Sequence, residues 1–202
     1  MRDVNGDHYF SPTPGVAVRP RTVEFTVGTR TFRLSAASGV FSADRLDPGT
    51  AVLLRKAPLP VGSGRFLDLG CGYGAIACVL AATAPDATVY AVDVNTRALD
   101  LVRQNAASLG VRVHPSTPDG VPADLEFDEI WSNPPIRVGK AELHEMLARW
   151  LPRLAPGGTA WLVVARHLGA DSLHRWLVEQ GWTVERYASQ KGYRVLRVGQ
   201  TS

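Results

Sequence analysis

The sequence predicts an α/β fold: a doubly wound, mostly parallel seven-stranded sheet with a C-terminal antiparallel strand pair and a short N-terminal β-hairpin extension. Three observations carry that expectation. From Arg65 onward, short apolar runs alternate with segments of helical spacing, as strands do when crossover helices return them to parallel pairing. The first run ends in a glycine loop, Gly70-Cys71-Gly72-Tyr73-Gly74, that opens a helix. The last two runs, Trp182–Ala188 and Tyr193–Val198, lie too close for a crossover and can pair only antiparallel.

The elements follow in order. Residues 1–20 are rich in Pro, Gly and charge and read as an extended lead-in. Thr22–Val27 and Arg30–Leu34 alternate polar and apolar residues around Gly28-Thr29, a hairpin signal of the II′ kind. Asp47-Pro48 is a helix start ahead of Thr50–Arg55, and Pro58–Gly64 is a linker. Residues 1–60 therefore read as an extension and 61–202 as the α/β domain. Within that domain Arg65–Leu69 is a strand, Ala75–Ala82 a helix, and Ala87–Val92 a strand ending in Asp93. Thr96–Leu109 is a helix ended by Gly110, and Val111–His114 and Glu126–Trp131 are short strands. Glu142–Leu154 is helical and closes at Pro156-Gly157-Gly158. Thr159–Ala165 is an apolar strand, and Asp171–Gln180 is a helix closed by Gly181.

Composition narrows the class. A chain of 202 residues with 45% hydrophobic and 20% charged residues buries a core without staples. No apolar run reaches the roughly 18 residues of a membrane span, and the N-terminus has no apolar signal region. Two cysteines, Cys71 and Cys78, make no disulfide framework and suit a cytoplasmic protein. The five histidines show no metal-ligand spacing, so no metal is expected. The formal net charge is +3, and residues 1–65 hold nine Lys/Arg against five Asp/Glu. That basic N-terminal third, with Arg19, Arg21, Arg30 and Arg33, is an expected face for a polyanion.

The glycine loop lets the chain turn tightly, lets a ligand approach the backbone and lets the helix pack on its strand. With Ala75 it also fits the dinucleotide pattern, so alone it does not separate a nicotinamide from an adenosyl cofactor. Asp93, at the end of the next strand, suits the ribose hydroxyls of either. Its plainer role is to cap Thr96–Leu109, which Asn95 can do instead. Asp68 does discriminate. A carboxylate just before the glycine turn repels a pyrophosphate and suits a cofactor bearing a sulfonium and an ammonium.

Asn133-Pro134-Pro135-Ile136 ends a strand expected beside the first one, on the sheet edge where the glycine loop and Asp93 also lie. The prolines fix φ and remove two donors, leaving a stiff turn of acceptors: the Asn133 oxygen and a backbone carbonyl. Such a corner receives a planar –NH₂ group and turns its nitrogen lone pair toward a methyl donor. Proximity and alignment then supply most of the catalysis.

These residues resemble the successive motifs of Rossmann-like class I S-adenosylmethionine-dependent methyltransferases acting on amino groups. The likeness is greatest to the small-domain family that includes bacterial ribosomal RNA guanine-N2 methyltransferases. Gly39–Ser42 (GVFS), Asn133–Lys140 (NPPIRVGK), Pro156–Gly158 and Lys191–Arg194 (KGYR) carry that closer likeness, which covers roughly residues 8–199. It implies S-adenosylmethionine contacts at Asp68, Gly70, Gly72, Gly74, Asp93, Asn95 and Asn133, and amine binding at Asn133, Pro134 and Pro135. It also makes Asp119 the candidate for the adenine amine. Where base-modifying relatives carry a stacking aromatic, this chain has Ile136, so stacking falls to Tyr9, Phe10, Phe41 or Tyr193. Arg137 and Lys140 are placed to hold a phosphate. The expected function is methylation of an exocyclic amine in RNA, most of all guanine N2 of ribosomal RNA. The expected partner is ribosomal RNA or a ribosomal subunit, the protein being a cytoplasmic monomer. A protein glutamine amide as acceptor, or a non-catalytic RNA-binding assembly factor, remains the alternative.

Overall fold

The structure, a computed structural model, describes residues 20–37, 45–134 and 139–200. The chain forms a hairpin of β1 (Pro20–Val27) and β2 (Arg30–Ala37), then α1 (Pro48–Lys56), β3 (Arg65–Leu69), α2 (Ala75–Thr83), β4 (Thr88–Val92) and α3 (Thr96–Leu109). β5 (His114–Ser116), β6 (Phe127–Ser132), α4 (Lys140–Trp150), β7 (Leu154–Ala165), α5 (Ala170–Glu179), β8 (Thr183–Gln190) and β9 (Tyr193–Gly199) complete it. The seven-stranded sheet runs β5-β4-β3-β6-β7-β9-β8. Its first five strands are parallel; β9 is antiparallel to both β7 and β8. The strand order reverses between β3 and β6, so a crevice opens there above the strand C-termini.

Strand residues alternate between two apolar layers. Phe66, Val89, Trp131, Val163 and Val195 face α1, α2 and α3, against Leu53, Leu80 and Val102. Leu67, Val92, Ile130, Leu162 and Leu196 face α4 and α5, against Leu147, Trp150 and Leu173. The hairpin turns at Gly28, whose φ of 58° a side chain would resist. It lays Val23, Leu34 and Ala36 on Cys78, Ala98 and Leu101 of α2 and α3. Asn105 of α3, buried, ties it there. The Asn105 Oδ1 accepts from the Ser35 N–H at 2.7 Å, and its Nδ2 donates to the Ser35 and Tyr73 carbonyls, each at 2.9 Å.

Two boundaries differ from expectation. The strand read at Val111–His114 lies at His114–Ser116. Gly110 takes a φ of 65° and the Val111 N–H donates to the Ala106 carbonyl, closing α3 with one more backbone bond, so the chain first pairs with β4 at His114 and Tyr90. Pro156-Gly157-Gly158 does not close a helix. α4 ends at Trp150, a 3₁₀ turn over Leu151–Arg153 follows, and the three residues lie inside β7. The β6–β7 register shifts between Phe127 and Glu129 at this point. A Cβ on Gly158 would sit 2.9–3.1 Å from the carbonyl oxygens of Ala155, Asp128 and Phe127, so glycine is needed for that irregularity.

The basic face expected on the hairpin is also altered. Arg33 is paired with Glu24 across the strands at 2.6 Å, and Arg30 donates to the Ala82 carbonyl near the end of α2. The turn thus lies about 10 Å or more along α2 from the glycine loop, on the side away from the crevice.

Candidate functional site

The C-termini of β3, β4 and β6 define the site. The Gly70 and Cys71 N–H groups donate to the Val92 carbonyl at 2.8 and 3.0 Å, fastening the glycine loop to β4. Gly70, Gly72 and Gly74 hold φ at 72°, 53° and 85°. A Cβ on Gly74 would lie 2.9 Å from the Val102 side chain, so this glycine also sets how closely α2 packs on α3. The Ser132 hydroxyl donates to the Leu69 carbonyl at 2.7 Å and pins the end of β6 beside that loop. Asn133 follows at once.

Asp93 accepts the Gly72 N–H at Oδ2 and the Asn95 N–H at Oδ1, both at 2.9 Å. Asn95, not Asp93, caps α3, its Oδ1 accepting from the Arg97 N–H at 3.0 Å. Asp68 is 1% exposed. Its Oδ2 accepts from the Ala77 N–H at 2.9 Å, while its Oδ1 is buried with no partner among the described residues. Burial pushes this carboxyl from 3.8 up to about 7; the Ala77 N–H opposes the rise and the Asp93 charge adds to it. Burial raises Asp93 as well, against the N–H groups of Asn95, Gly72 and Val94. An orphaned carboxylate oxygen beside a glycine loop asks for a cation or a donor. Both cysteines are poor nucleophiles here, since burial lifts Cys71 well above its usual range and Cys78 to about 12.

Asn133 is half-buried, and its amide is held by α1. Its Nδ2 donates to Asp47 Oδ1 at 2.7 Å and Thr50 Oγ1 at 3.0 Å. The same Asp47 oxygen caps α1 by accepting from the Gly49 and Thr50 N–H groups at 2.7 and 3.0 Å. A carboxylate only accepts, so Asp47 can face only the –NH₂ end of the amide, and Oδ1 is left at the other end as an acceptor. Asp47, Thr50, Asp68, Gly70, Gly72 and Asn133 line one cleft. Gly70 and Asp93 also line a larger cavity of about 480 Å³, closed by Pro118 and by Met146, Arg149 and Trp150 of α4.

The structure therefore brings Asp68, Gly70, Gly72, Asp93 and Asn133 together around Gly70. Gly74 starts α2 just below, and Pro134 is buried beside Asn133. Asp119 sits in the 3₁₀ turn Pro118–Gly120, exposed and paired with Arg149 at 2.8 Å; its neighbour Pro118 and partner Arg149 line the cavity. Lys140 is the exposed first residue of α4. Pro135, Ile136, Arg137 and Phe41 lie outside the described residues, as do Tyr9 and Phe10. Sequence reasoning missed Asp47 and Thr50. Asp47-Pro48 signals a helix start, but nothing local signals a bond to a residue 86 positions away. It also missed Asn105, whose place on an otherwise apolar helix face was the available sign.

Residues 31–197 match the family model of the methyltransferase small domain. The chain belongs to that family. This methyltransferase is 33% identical to the uncharacterized protein YbxB of Bacillus subtilis (strain 168), over 95% of its own length and 97% of YbxB. It is 36% identical to ribosomal RNA large subunit methyltransferase G of Streptomyces avermitilis over 65% of its length, spanning 37% of that enzyme. Among solved structures, the 16S rRNA N2 G1207 methyltransferase RsmC of T. thermophilus, in complex with AdoMet and guanosine, superimposes with a TM-score of 0.77 at 25% identity. The chain thus spans about half or less of the named ribosomal RNA methyltransferases: that match covers 93% of it and 52% of RsmC.

RsmC is solved with AdoMet, the methyl donor that the resemblance of this chain implies. The site fits it chemically. The unpartnered Asp68 oxygen suits a cationic group, the Asp93 carboxylate keeps acceptor capacity for a hydroxyl, and the 480 Å³ cavity has the apolar walls of Val92, Met146 and Trp150 for a ring. A pyrophosphate would meet Asp68 and Asp93 as like charges.

Proposed function

We propose that this methyltransferase modifies an exocyclic amino group of a base in RNA, guanine N2 of ribosomal RNA being the first target to test. The observation that carries the reading is the orientation of Asn133: with its –NH₂ end bound by Asp47 and Thr50, its oxygen is an acceptor for a planar N–H donor. Asp68 would hold the cofactor's ammonium and Asp93 its ribose hydroxyls. S-adenosylmethionine, when bound, supplies a methyl group on an electrophilic sulfonium. Asn133 Oδ1 would accept one N–H of the amine and turn its lone pair toward the methyl. Pro134, beside it, stiffens the corner. No strong base is required, because the amine N–H becomes acidic only once nitrogen is alkylated. The nucleic-acid acceptor is supported by the ribosomal RNA enzymes among the relatives.

The test is incubation with labelled cofactor and separate RNA and protein fractions, followed by nucleoside mass spectrometry. Label in a methylated guanosine is expected. Label in protein alone would replace RNA by an amide acceptor such as glutamine. Failure to bind S-adenosylmethionine in calorimetry would leave a binding factor rather than an enzyme.

A further inference from the structure

On the hairpin, Arg33 is paired with Glu24, and Arg30 is tied to the end of α2 away from the crevice. Another surface stands at the opposite flank of the crevice. β6 ends at Ser132, paired with Leu162 of β7, yet β7 runs on to Ala165, about 10 Å further. There Arg166 begins a 3₁₀ turn, and its N–H donates to the Gly192 carbonyl at 2.8 Å, joining it to the β8–β9 turn. That turn is a two-residue loop, Lys191-Gly192, with φ of 49° and 80°, which makes it compact and well defined. Tyr193, the next residue, lies against Gly49: a Cβ on Gly49 would be 2.9 Å from its ring. Gly49 donates its N–H to the same Asp47 oxygen that holds Asn133. The turn is therefore positioned through α1, next to the acceptor corner.

Asp171, at the start of α5, gathers the cations. Arg194 is bonded to it, Arg186 approaches to 3.0 Å, and Arg166 adds its field. Three cations, Arg166, Arg186 and Arg194, thus surround one carboxylate, Lys191 stands in the turn bonded to Arg166, and Arg166, Arg186 and Lys191 are exposed. The charged residues lining the cofactor half of the same rim are Asp47, Asp68, Asp93, Glu142 and Glu145, against one arginine, Arg149. A strand of nucleic acid reaching Asn133 would be repelled on that half and attracted on this one.

We infer that Arg166, Arg186 and Lys191 form the phosphate-binding track of this enzyme, holding the backbone of a single-stranded RNA segment while the target base enters beside Asn133. The inference rests on the RNA reading proposed above. Guanidinium forks suit phosphate oxygens, and Asp171 presets Arg186, lowering the ordering cost of binding.

The test measures fluorescence anisotropy of a short labelled single-stranded RNA of mixed sequence against salt. It compares the intact chain, an Arg166→Ala/Arg186→Ala/Lys191→Ala variant and an Arg30→Ala/Arg33→Ala variant. Each phosphate contact to a single strand contributes roughly −0.7 to the slope of log affinity on log salt, so the triple variant should lose about 2 from its slope. The hairpin variant should keep its slope, and calorimetry should give all three the same S-adenosylmethionine affinity, confirming their folding. An unchanged slope in the triple variant, or a loss in the hairpin variant instead, would overturn the track while leaving an RNA acceptor intact. No RNA binding by the intact chain at any salt would overturn the RNA acceptor and the track with it.

Discussion

At Asn133 the chemistry turns on which end of an amide faces the cleft. Asn133→Ala removes the acceptor oxygen but touches neither Asp68 nor Asp93, so turnover should fall at least about a hundredfold while S-adenosylmethionine still binds. Calorimetry beside a turnover assay checks this, and lost cofactor affinity would mean the residue is misassigned. Asp47 acts through Asn133 and is a positioning residue. Asp47→Ser keeps a helix cap but is too short to reach the amide, so kcat should drop by about a hundredfold with little change in Tm or KM. Asp47→Asn retains an oxygen in the same place and should restore most of the rate. A purely capping role for Asp47 predicts the reverse pattern, with Ser the better replacement.

Asp68 sets a pH dependence. Its folded value, about 7, is raised above the unfolded 3.8, so the cofactor-free chain holds an extra proton between those values. The stability this contributes is complete below 3.8 and is lost as the pH rises through about 7. A cationic cofactor prefers the charged carboxylate. Its affinity should therefore weaken roughly tenfold per unit as the pH falls below that value and level off above it. Calorimetry from pH 5 to 9 reads this out, and Asp68→Asn should bind weakly with a flat profile. A tight, pH-independent wild type would exclude Asp68 from the cofactor site.

At the scale of elements, the hairpin and α1 matter to the site although neither belongs to the sheet. α1 supplies the anchor for Asn133. The hairpin reaches the glycine loop through Asn105, which satisfies groups of both Ser35 and Tyr73. Asn105→Ala leaves the buried Tyr73 carbonyl and the Ser35 backbone groups without this partner and should cost about 2 kcal/mol, lowering Tm and loosening the loop that receives the cofactor. Thermal unfolding with and without S-adenosylmethionine measures both. Had the hairpin been a separate appendage, Tm would change little. The terminal hairpin, by contrast, is bound to the sheet along all of β9 and brings its turn up beside α1 as a rigid post.

Across the whole molecule, the glycine loop, Asp93 and Asn133 could be read as converging before any coordinates, because parallel strands connected by helices put their C-termini on one edge. Local pattern also carried the hairpin turn at Gly28 and the α3 boundaries. It failed at Pro156-Gly157-Gly158, where helix-breaking residues serve a register shift between neighbouring strands, and at β5, where the cap of α3 delays pairing. What the sequence alone determined was the order of elements and the residue types that reach the rim, since periodicity and turn chemistry act over a few neighbours. Only the tertiary structure decided which way the Asn133 amide points and which arginines gather at the rim. Both depend on carboxylates brought close from distant parts of the chain: Asp47 to Asn133 and Asp171 to Arg194. Charge and hydrogen bonding act through space over a few ångströms, whatever the separation in sequence.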